Sequence, residues 1–165
     1  MIFPGLPALP LLLHTVLLSC SNSAPCPCAA GVFVSNLNAA CLRCLCFSIT
    51  GCNATVGCSK GYCGPFYISR VYWADAGKPV FPEDDPERAG AYQDCAREYN
   101  CAASIVTNYM ARFGRDCNRD GLTNCDDYAM IHYNGGFSCE TSLEGTNFSA
   151  KYEVCRPGAL SGESA

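Results

Sequence analysis

The stretch from Cys41 to Asp75 reads CLRCLCFSITGCNATVGCSKGYCGPFYISRVYWAD. Six cysteines, at 41, 44, 46, 52, 58 and 63, fall within its first 23 residues, and an aromatic block of Phe66, Tyr67, Tyr72 and Trp73 follows directly. Cysteine this dense, with no long apolar run beside it, points to an element stapled by disulfides in an oxidising compartment. Residues 31–40 lead into a predicted helix whose apolar stripe holds Leu42, Leu45 and Phe47. Gly51, Gly57, Gly61 and Gly64 then break the chain into short loops or a small antiparallel hairpin. Residues 65–74 mix β-branched and aromatic side chains and give no single periodicity.

Working outward, the chain has 165 residues, enough for one domain with a real core. Its net charge of −4 argues against a nucleic-acid partner and against electrostatic attraction to anionic bacterial surfaces. Leu9–Leu18 is a short apolar run followed by small residues, too short to span a bilayer and suited to a signal peptide. The expected signal covers residues 1–24, with a cut as late as 30. Of the fifteen cysteines, Cys20 lies inside it; cutting after Ala24 leaves fourteen and after Ala30 leaves twelve, both even. Twelve paired cysteines, about six bridges, are expected: Cys41, Cys44, Cys46, Cys52, Cys58, Cys63, Cys95, Cys101, Cys117, Cys125, Cys139 and Cys155. Cys26 and Cys28 stay undecided, and spacing alone does not give connectivity.

Downstream, residues 78–87 (KPVFPEDDPE) carry three prolines and read as a solvated loop. Helical patterning covers Ala89–Tyr99, Ala102–Phe113 with Gly114 as its stop, and Asp126–Tyr133 ending at Gly135-Gly136. Cys139 and Cys155 tie the tail, and residues 157–165 read as a flexible end.

The order C-L-x-C-L-C-x-x-x-x-G-C, then G-C, then C-G-x-[FY]-x-I-x-x-x-Y-W-x-D-x-G-[KR]-P resembles the invertebrate-type (i-type) lysozyme or destabilase family. The resemblance continues through Cys95, Asn108-Tyr109-Met110 and His132 to Gly136, covering roughly residues 41–155. It implies an α+β, lysozyme-like, helix-rich single domain over residues 31–156, with a small irregular β part. The family cleaves the β-1,4 bond between N-acetylmuramic acid and N-acetylglucosamine in peptidoglycan.

The chain departs from that family where the chemistry should be. Glycoside hydrolysis uses two carboxylates, one protonated as general acid and one as nucleophile or base. In the family pattern the acid is a Glu three residues before a cysteine; here that position is Ile49. The second carboxylate stands in a loop that is only Ser59-Lys60-Gly61-Tyr62 here, without an acid. Residues 1–74 hold no Asp or Glu at all, so only acids from further on, such as Asp75 or Asp94, remain to replace them. No catalytic residue is therefore expected to be retained. An isopeptidase activity credited to some members rests on a Ser and a Lys in G-S-L-S-C-G-P-Y-Q-I-K. This chain reads K-G-Y-C-G-P-F-Y-I-S there, leaving Lys60 and Ser69 with roles exchanged. The family also has cysteines where Ala76 and Ile105 stand, consistent with loss of one bridge.

By resemblance, a saccharide groove would be lined by Ser69, Arg70, Val71, Tyr72, Trp73, Ala74, Asp75, Tyr109, His132, Tyr133 and Asn134. Aromatic faces suit the apolar side of a pyranose, and the polar groups suit its hydroxyls. The competing reading makes Tyr72, Trp73 and Tyr109 ordinary core aromatics and His132 a structural hydrogen-bonding residue. The segment DCNRDGLTNCDD fits a calcium loop, with Asp116, Asn118, Asp120, the Leu122 carbonyl and Asp127 as candidate ligands. Its alternative is an acidic, disulfide-tied turn in which Asp126 caps the next helix. Asn53 and Asn147 open N-glycosylation sequons. Three readings follow. In the first the chain is a secreted member without muramidase chemistry that binds peptidoglycan or another N-acetylglucosamine-containing glycan, with no cofactor required. The second is an active lysozyme with relocated acids; the third is a secreted scaffold with no carbohydrate role.

Overall fold

A computed structural model describes residues 32–158. The predicted signal segment, Cys20, Cys26, Cys28 and the tail from residue 159 lie outside the described residues. The first helix, α1 (Ala39–Thr50), starts at Asn38, whose side chain accepts the Cys41 N–H at 2.9 Å, and stops at Gly51, where φ is +74°. Cys41, Cys44, Leu45 and Ser48 form its buried face, the i, i+3, i+4, i+7 stripe of an amphipathic helix. Phe47 is not on that stripe and is 41% exposed, which corrects the predicted apolar face.

Three two-residue strands follow, β1 (Cys58–Ser59), β2 (Tyr62–Cys63) and β3 (Ile68–Ser69), paired antiparallel in that order. Lys60 and Gly61 both have positive φ, 54° and 86°, the geometry of a type I′ hairpin turn. Gly64 is required for a different reason: a Cβ there would lie 1.7 Å from the Ala96 carbonyl oxygen. The sheet therefore docks directly on the backbone of a later helix.

That helix is α3 (Ala91–Arg97); before it comes the short α2 (Arg70–Asp75), and after it α4 (Tyr99–Phe113), α5 (Cys125–Asn134) and α6 (Asn147–Cys155). Ser69 caps α2 by accepting the Tyr72 N–H at 3.1 Å. Glu98 breaks α3 from α4 by adopting an extended backbone and then caps α4 at the Cys101 N–H, 2.7 Å. The predicted helix pair, Ala89–Tyr99 and Ala102–Phe113, is present with these shifted boundaries. Helix α6 has no counterpart in the sequence reading, which took its residues for a tied tail. Its inward residues are only Phe148 and Tyr152, too few to declare a period. The loop over 78–87 is held by an Asp84–Arg88 ion pair at 2.7 Å, while Val80 and Phe81 pack partly against the core.

Six disulfides join the twelve expected cysteines: Cys41–Cys125, Cys44–Cys155, Cys46–Cys52, Cys58–Cys63, Cys95–Cys101 and Cys117–Cys139. Two of them run from α1 to α5 and α6, across 84 and 111 residues. Between the helices lies one core of Leu45, Phe66, Ile68, Trp73, Ile105, Met110, Tyr128 and Ile131. Ala76 and Ile105, the positions where the family has cysteines, are both buried in it.

Loop-closure entropy assigns about 4.5–5 kcal/mol to each long bridge and ~2 kcal/mol to a six-residue one. Replacing Cys44 and Cys155 together by Ser is therefore expected to lower denaturant stability by roughly 3–5 kcal/mol. The same change at Cys58 and Cys63 is expected to cost under ~2 kcal/mol. Urea titrations of the two double variants check the order; equal losses would contradict it.

Candidate functional site

The two positions that the resemblance assigns to catalytic acids, Ile49 and the Ser59–Tyr62 turn, hold no carboxylate. Ile49 sits in the last turn of α1, partly buried and packed against the core. Beside it the Thr50 hydroxyl donates to the Pro65 carbonyl, joining α1 to the sheet. The Ser59–Tyr62 segment is the tight β1–β2 turn, which leaves no room for an additional loop.

The carboxylates nearest in sequence are occupied. Asp75, at the end of α2, faces Arg112 of α4 at 3.5 Å, and Arg112 also donates to the Asp75 carbonyl at 2.8 Å. Asp94 pairs with Arg88 at 2.7 Å. Asp94 does line a cleft with Ala54, Thr55, Val56, Arg97 and Glu98. Glu98, which the sequence reading missed, is held below the usual carboxylate range by the Cys101 and Asn100 N–H groups. A general acid needs the opposite displacement.

The predicted groove residues separate into an inner and an outer group. Trp73 is 1% exposed, with its indole N–H donating to the Pro79 carbonyl at 2.7 Å. Tyr109 is 4% exposed and stacks on Tyr72 with ring centroids 3.6 Å apart, while its hydroxyl accepts the Gly136 N–H at 2.9 Å. Gly136 lies so close to Phe113 that a Cβ would stand 2.4 Å from the ring. Trp73 and Tyr109 thus turn inward, and core packing takes their ring faces. On the outside are Arg70, Val71 (72% exposed), Ala74 and Tyr133 (44% exposed). Arg70 also lies over the Trp73 ring at 5.7 Å. Asn134 is tied to the Thr141 carbonyl at 2.7 Å, and the Ser69 hydroxyl is used as the α2 cap.

Tyr72 and His132 connect the two groups. His132 contacts the Tyr72 hydroxyl through Nδ1 at 3.2 Å and the Phe66 carbonyl through Nε2 at 3.0 Å. A carbonyl only accepts, so Nε2 carries the proton and Nδ1 accepts from the phenol. Burial pushes His132 down to about 4, against a smaller opposing effect of the Phe66 carbonyl. Burial likewise raises the Tyr72 phenol, aided by neighbouring Tyr109, and keeps it a donor. The network joins α2 and α5 to the Phe66 backbone, so His132 acts here as a structural linker.

The calcium-loop reading meets a closed turn. The Asp116 carboxylate accepts from Arg119, Asp120 and Gly121 N–H groups, and Asp120 accepts from the Leu122 N–H and the Asn118 amide. Asp127, wholly buried, accepts from Cys117, Asn118 and Asn124 N–H groups at 2.7, 3.2 and 2.9 Å. It completes a capping box with Asn124 at the start of α5. Among the described residues no group of three or more Asp, Glu, His or Cys is placed to hold a metal. Within the candidate ligand set Asp116, Asn118, Asp120, Leu122 and Asp127, the side-chain oxygens of Asp116, Asn118, Asp120 and Asp127 all accept hydrogen bonds from N–H groups of the turn. Asn124, not Asp126, is the helix cap; Asp126 accepts the Tyr152 hydroxyl at 2.8 Å. Beside this turn is a cavity of about 680 Å³ whose lining includes Arg119, Glu140, Tyr152 and Arg156 but none of the predicted groove residues. Asn53 and Asn147 are both exposed.

Comparison with known proteins adds ancestry to this geometry. Residues 38–155 match the family model described as Destabilase. The chain is 37% identical over 107 residues to Lysozyme 1 of Crassostrea virginica, covering 62% of this chain but only 51% of that relative's length. It is 34% identical over 110 residues to the lysozyme of Magallana gigas, covering 64% of this chain and 71% of that protein. Identity is 30% over 115 residues to invertebrate-type lysozyme 3 of Caenorhabditis elegans, covering 67% and 81%. In three dimensions it resembles a chain in the crystal structure of Aeromonas hydrophila PliI in complex with Meretrix lusoria lysozyme. That match has a TM-score of 0.58 and 25% identity, covering 75% of this chain and 98% of the other.

Two outcomes are expected from the site. Between pH about 6.5 and about 4 the unfolded chain protonates His132 while the folded protein does not, so stability is complete above this window and falls as pH drops through it. The loss between pH 7 and pH 4.5 should be ~2 kcal/mol larger in the wild type than in His132→Gln, measured by urea unfolding. Asp127→Ala removes the acceptor of three N–H groups, the buried one of Cys117 among them, and should cost ~3 kcal/mol, against under ~1.5 kcal/mol for Asp126→Ala, by thermal unfolding.

Proposed function

The chain belongs to the destabilase family of invertebrate-type lysozymes, and from that premise we propose that it is a secreted member which binds peptidoglycan or a related N-acetylglucosamine-containing glycan without hydrolysing it. One observation carries the reading. By resemblance Ile49 falls at the family's general-acid position, and no carboxylate precedes Asp75. An aliphatic side chain has no proton to donate, and losing a general acid costs about 10²–10⁴ in rate. The absence of the second carboxylate removes the nucleophile or base as well.

Relocated acids are a weaker account. Asp75 and Asp94 are each engaged by an arginine. Glu98, in the same cleft as Asp94, is stabilised as the carboxylate. The scaffold reading draws on the burial of Trp73 and Tyr109. Against it stand the outward-facing Arg70, Val71 and Tyr133, which leave polar and apolar surface beside the emptied positions. Six bridges and the predicted leader suit an extracellular protein, and the binding reading needs no cofactor. Exposed Asn53 is placed to carry a glycan if the sequon is used.

The test is sedimentation of the oxidised, secreted protein with purified insoluble peptidoglycan, with soluble muropeptides measured in the supernatant. Retention in the pellet without muropeptide release is expected. Release at a rate near that of an ordinary lysozyme would overturn the proposal and direct attention to Asp75 and Asp94. Neither retention nor release would leave the scaffold reading in its place.

A further inference from the structure

The outer face of the small sheet carries a feature that the family pattern does not account for. Tyr62 pairs across the sheet with Ser59 on one side and Ser69 on the other. Directly opposed residues in antiparallel strands project from the same face, about 5 Å apart. The alternate residues Cys63 and Ile68 point to the core, at 2% and 1% exposure. Tyr62 therefore stands on the solvent side between two serines.

Tyr62 does not stand alone. The ring of Tyr67 stacks on it, with centroids 4.5 Å apart and planes 6° from parallel. Tyr67 itself has φ +53°, a left-handed conformation that a bulky side chain adopts rarely and at a cost of roughly 1–2 kcal/mol. Its N–H bond to the Gly64 carbonyl at 3.0 Å holds the turn. The conformation serves no burial, because the Tyr67 ring is only partly covered and Tyr62 is 41% exposed. With one face of Tyr62 closed by Tyr67, the accessible area is the opposite face and the edge. Lys60, in the β1–β2 turn, and Arg70, which follows Ser69 in the chain, are both exposed.

Where this chain has Tyr62 and Tyr67, the family pattern G-S-L-S-C-G-P-Y-Q-I-K has Ser and Gln. The stack belongs to this chain and is not an inherited groove position. We propose that the Tyr62–Tyr67 stack is a saccharide-binding platform, on which the apolar face of one pyranose ring of the glycan lies. Hydroxyls of that ring would meet Ser59, Lys60 and Arg70. A rigid aromatic face of one ring's area, bordered by short hydroxyls and cationic donors, matches the two-sided chemistry of a sugar. Parallel stacking fixes the ring in advance, so little side-chain entropy is lost on binding. The platform adjoins Ser69–Val71, the strand-to-helix corner that the glycan-binding reading uses, and it rests on that reading.

The experiment compares wild type, Tyr62→Ala and Tyr62→Phe on two probes, the N-acetylglucosamine tetramer in solution and purified insoluble peptidoglycan. Tyr62 is exposed and contributes nothing to the core, so its variants are expected to keep the wild-type circular dichroism and melting temperature. Tyr62→Ala should weaken binding of whichever probe the wild type takes by about tenfold or more, and Tyr62→Phe by under about threefold. Sugar ring protons of a bound tetramer should shift upfield in wild type and not in Tyr62→Ala. Unchanged affinity in Tyr62→Ala, with the wild type binding, would overturn the platform and leave glycan binding standing. If the wild type takes neither probe, the platform and the glycan-binding reading both fall.

Discussion

Helix α1 is bound covalently to the far end of the chain, and the rest of the fold depends on that. Cys41 and Cys44 sit one turn apart on its buried face and bridge to Cys125 at the start of α5 and Cys155 at the end of α6. Cys44–Cys155 joins α1 to α6 and Cys41–Cys125 joins α1 to α5, so two later helices are anchored on one face of the first. The two bonds also make α6 possible, because a nine-residue helix with two inward aromatics is marginal by itself. The four shorter bridges act locally, on the turn after α1, the hairpin, the α3–α4 corner and the acidic turn before α5.

Within that frame the polar groups of the inherited site have been given structural work. The Tyr72 hydroxyl, both nitrogens of His132 and the Phe66 carbonyl satisfy one another, and Tyr109 bonds the Gly136 backbone. A buried hydrogen-bond network of this kind is valuable only when every member is paired. Ile49 fits the same pattern, since a partly buried aliphatic side chain joins the core where a carboxylate would require solvation or a partner.

What stays exposed beside these positions lies on corners and turns. The corner from β3 into α2 carries Arg70 and Val71 on the outside, and the adjoining hairpin carries the stacked tyrosines. Both are positioned by short-range devices: the Ser69 cap, the I′ turn at Lys60-Gly61, and the Gly64 backbone pressed on Ala96. A surface held by turns and caps can change its side chains without disturbing the core, which is why aromatics stand where the family pattern has small or polar residues.

Much of this was legible from residues alone. The density of cysteine between Cys41 and Cys63, the helical periods of α3, α4 and α5, the glycine-punctuated hairpin and the lack of any Asp or Glu before Asp75 are local facts of composition and spacing. Tertiary structure decided what depends on partners distant in sequence. Spacing does not say that Cys44 meets Cys155 across 111 residues. An aromatic residue is equally suited to a core and to a sugar, and only the packing of α2 on α4 turned Trp73 and Tyr109 inward. A D-x-N-x-D-G run is equally suited to a cation and to a turn, and only the fold shows that Asp127 accepts the N–H groups of Cys117, Asn118 and Asn124. The stacking of Tyr62 on Tyr67 came from strand register and one left-handed residue. Sequence determined which groups the chain possesses; long-range pairing determined which of them face water, because burial is a property of two surfaces and not of one residue.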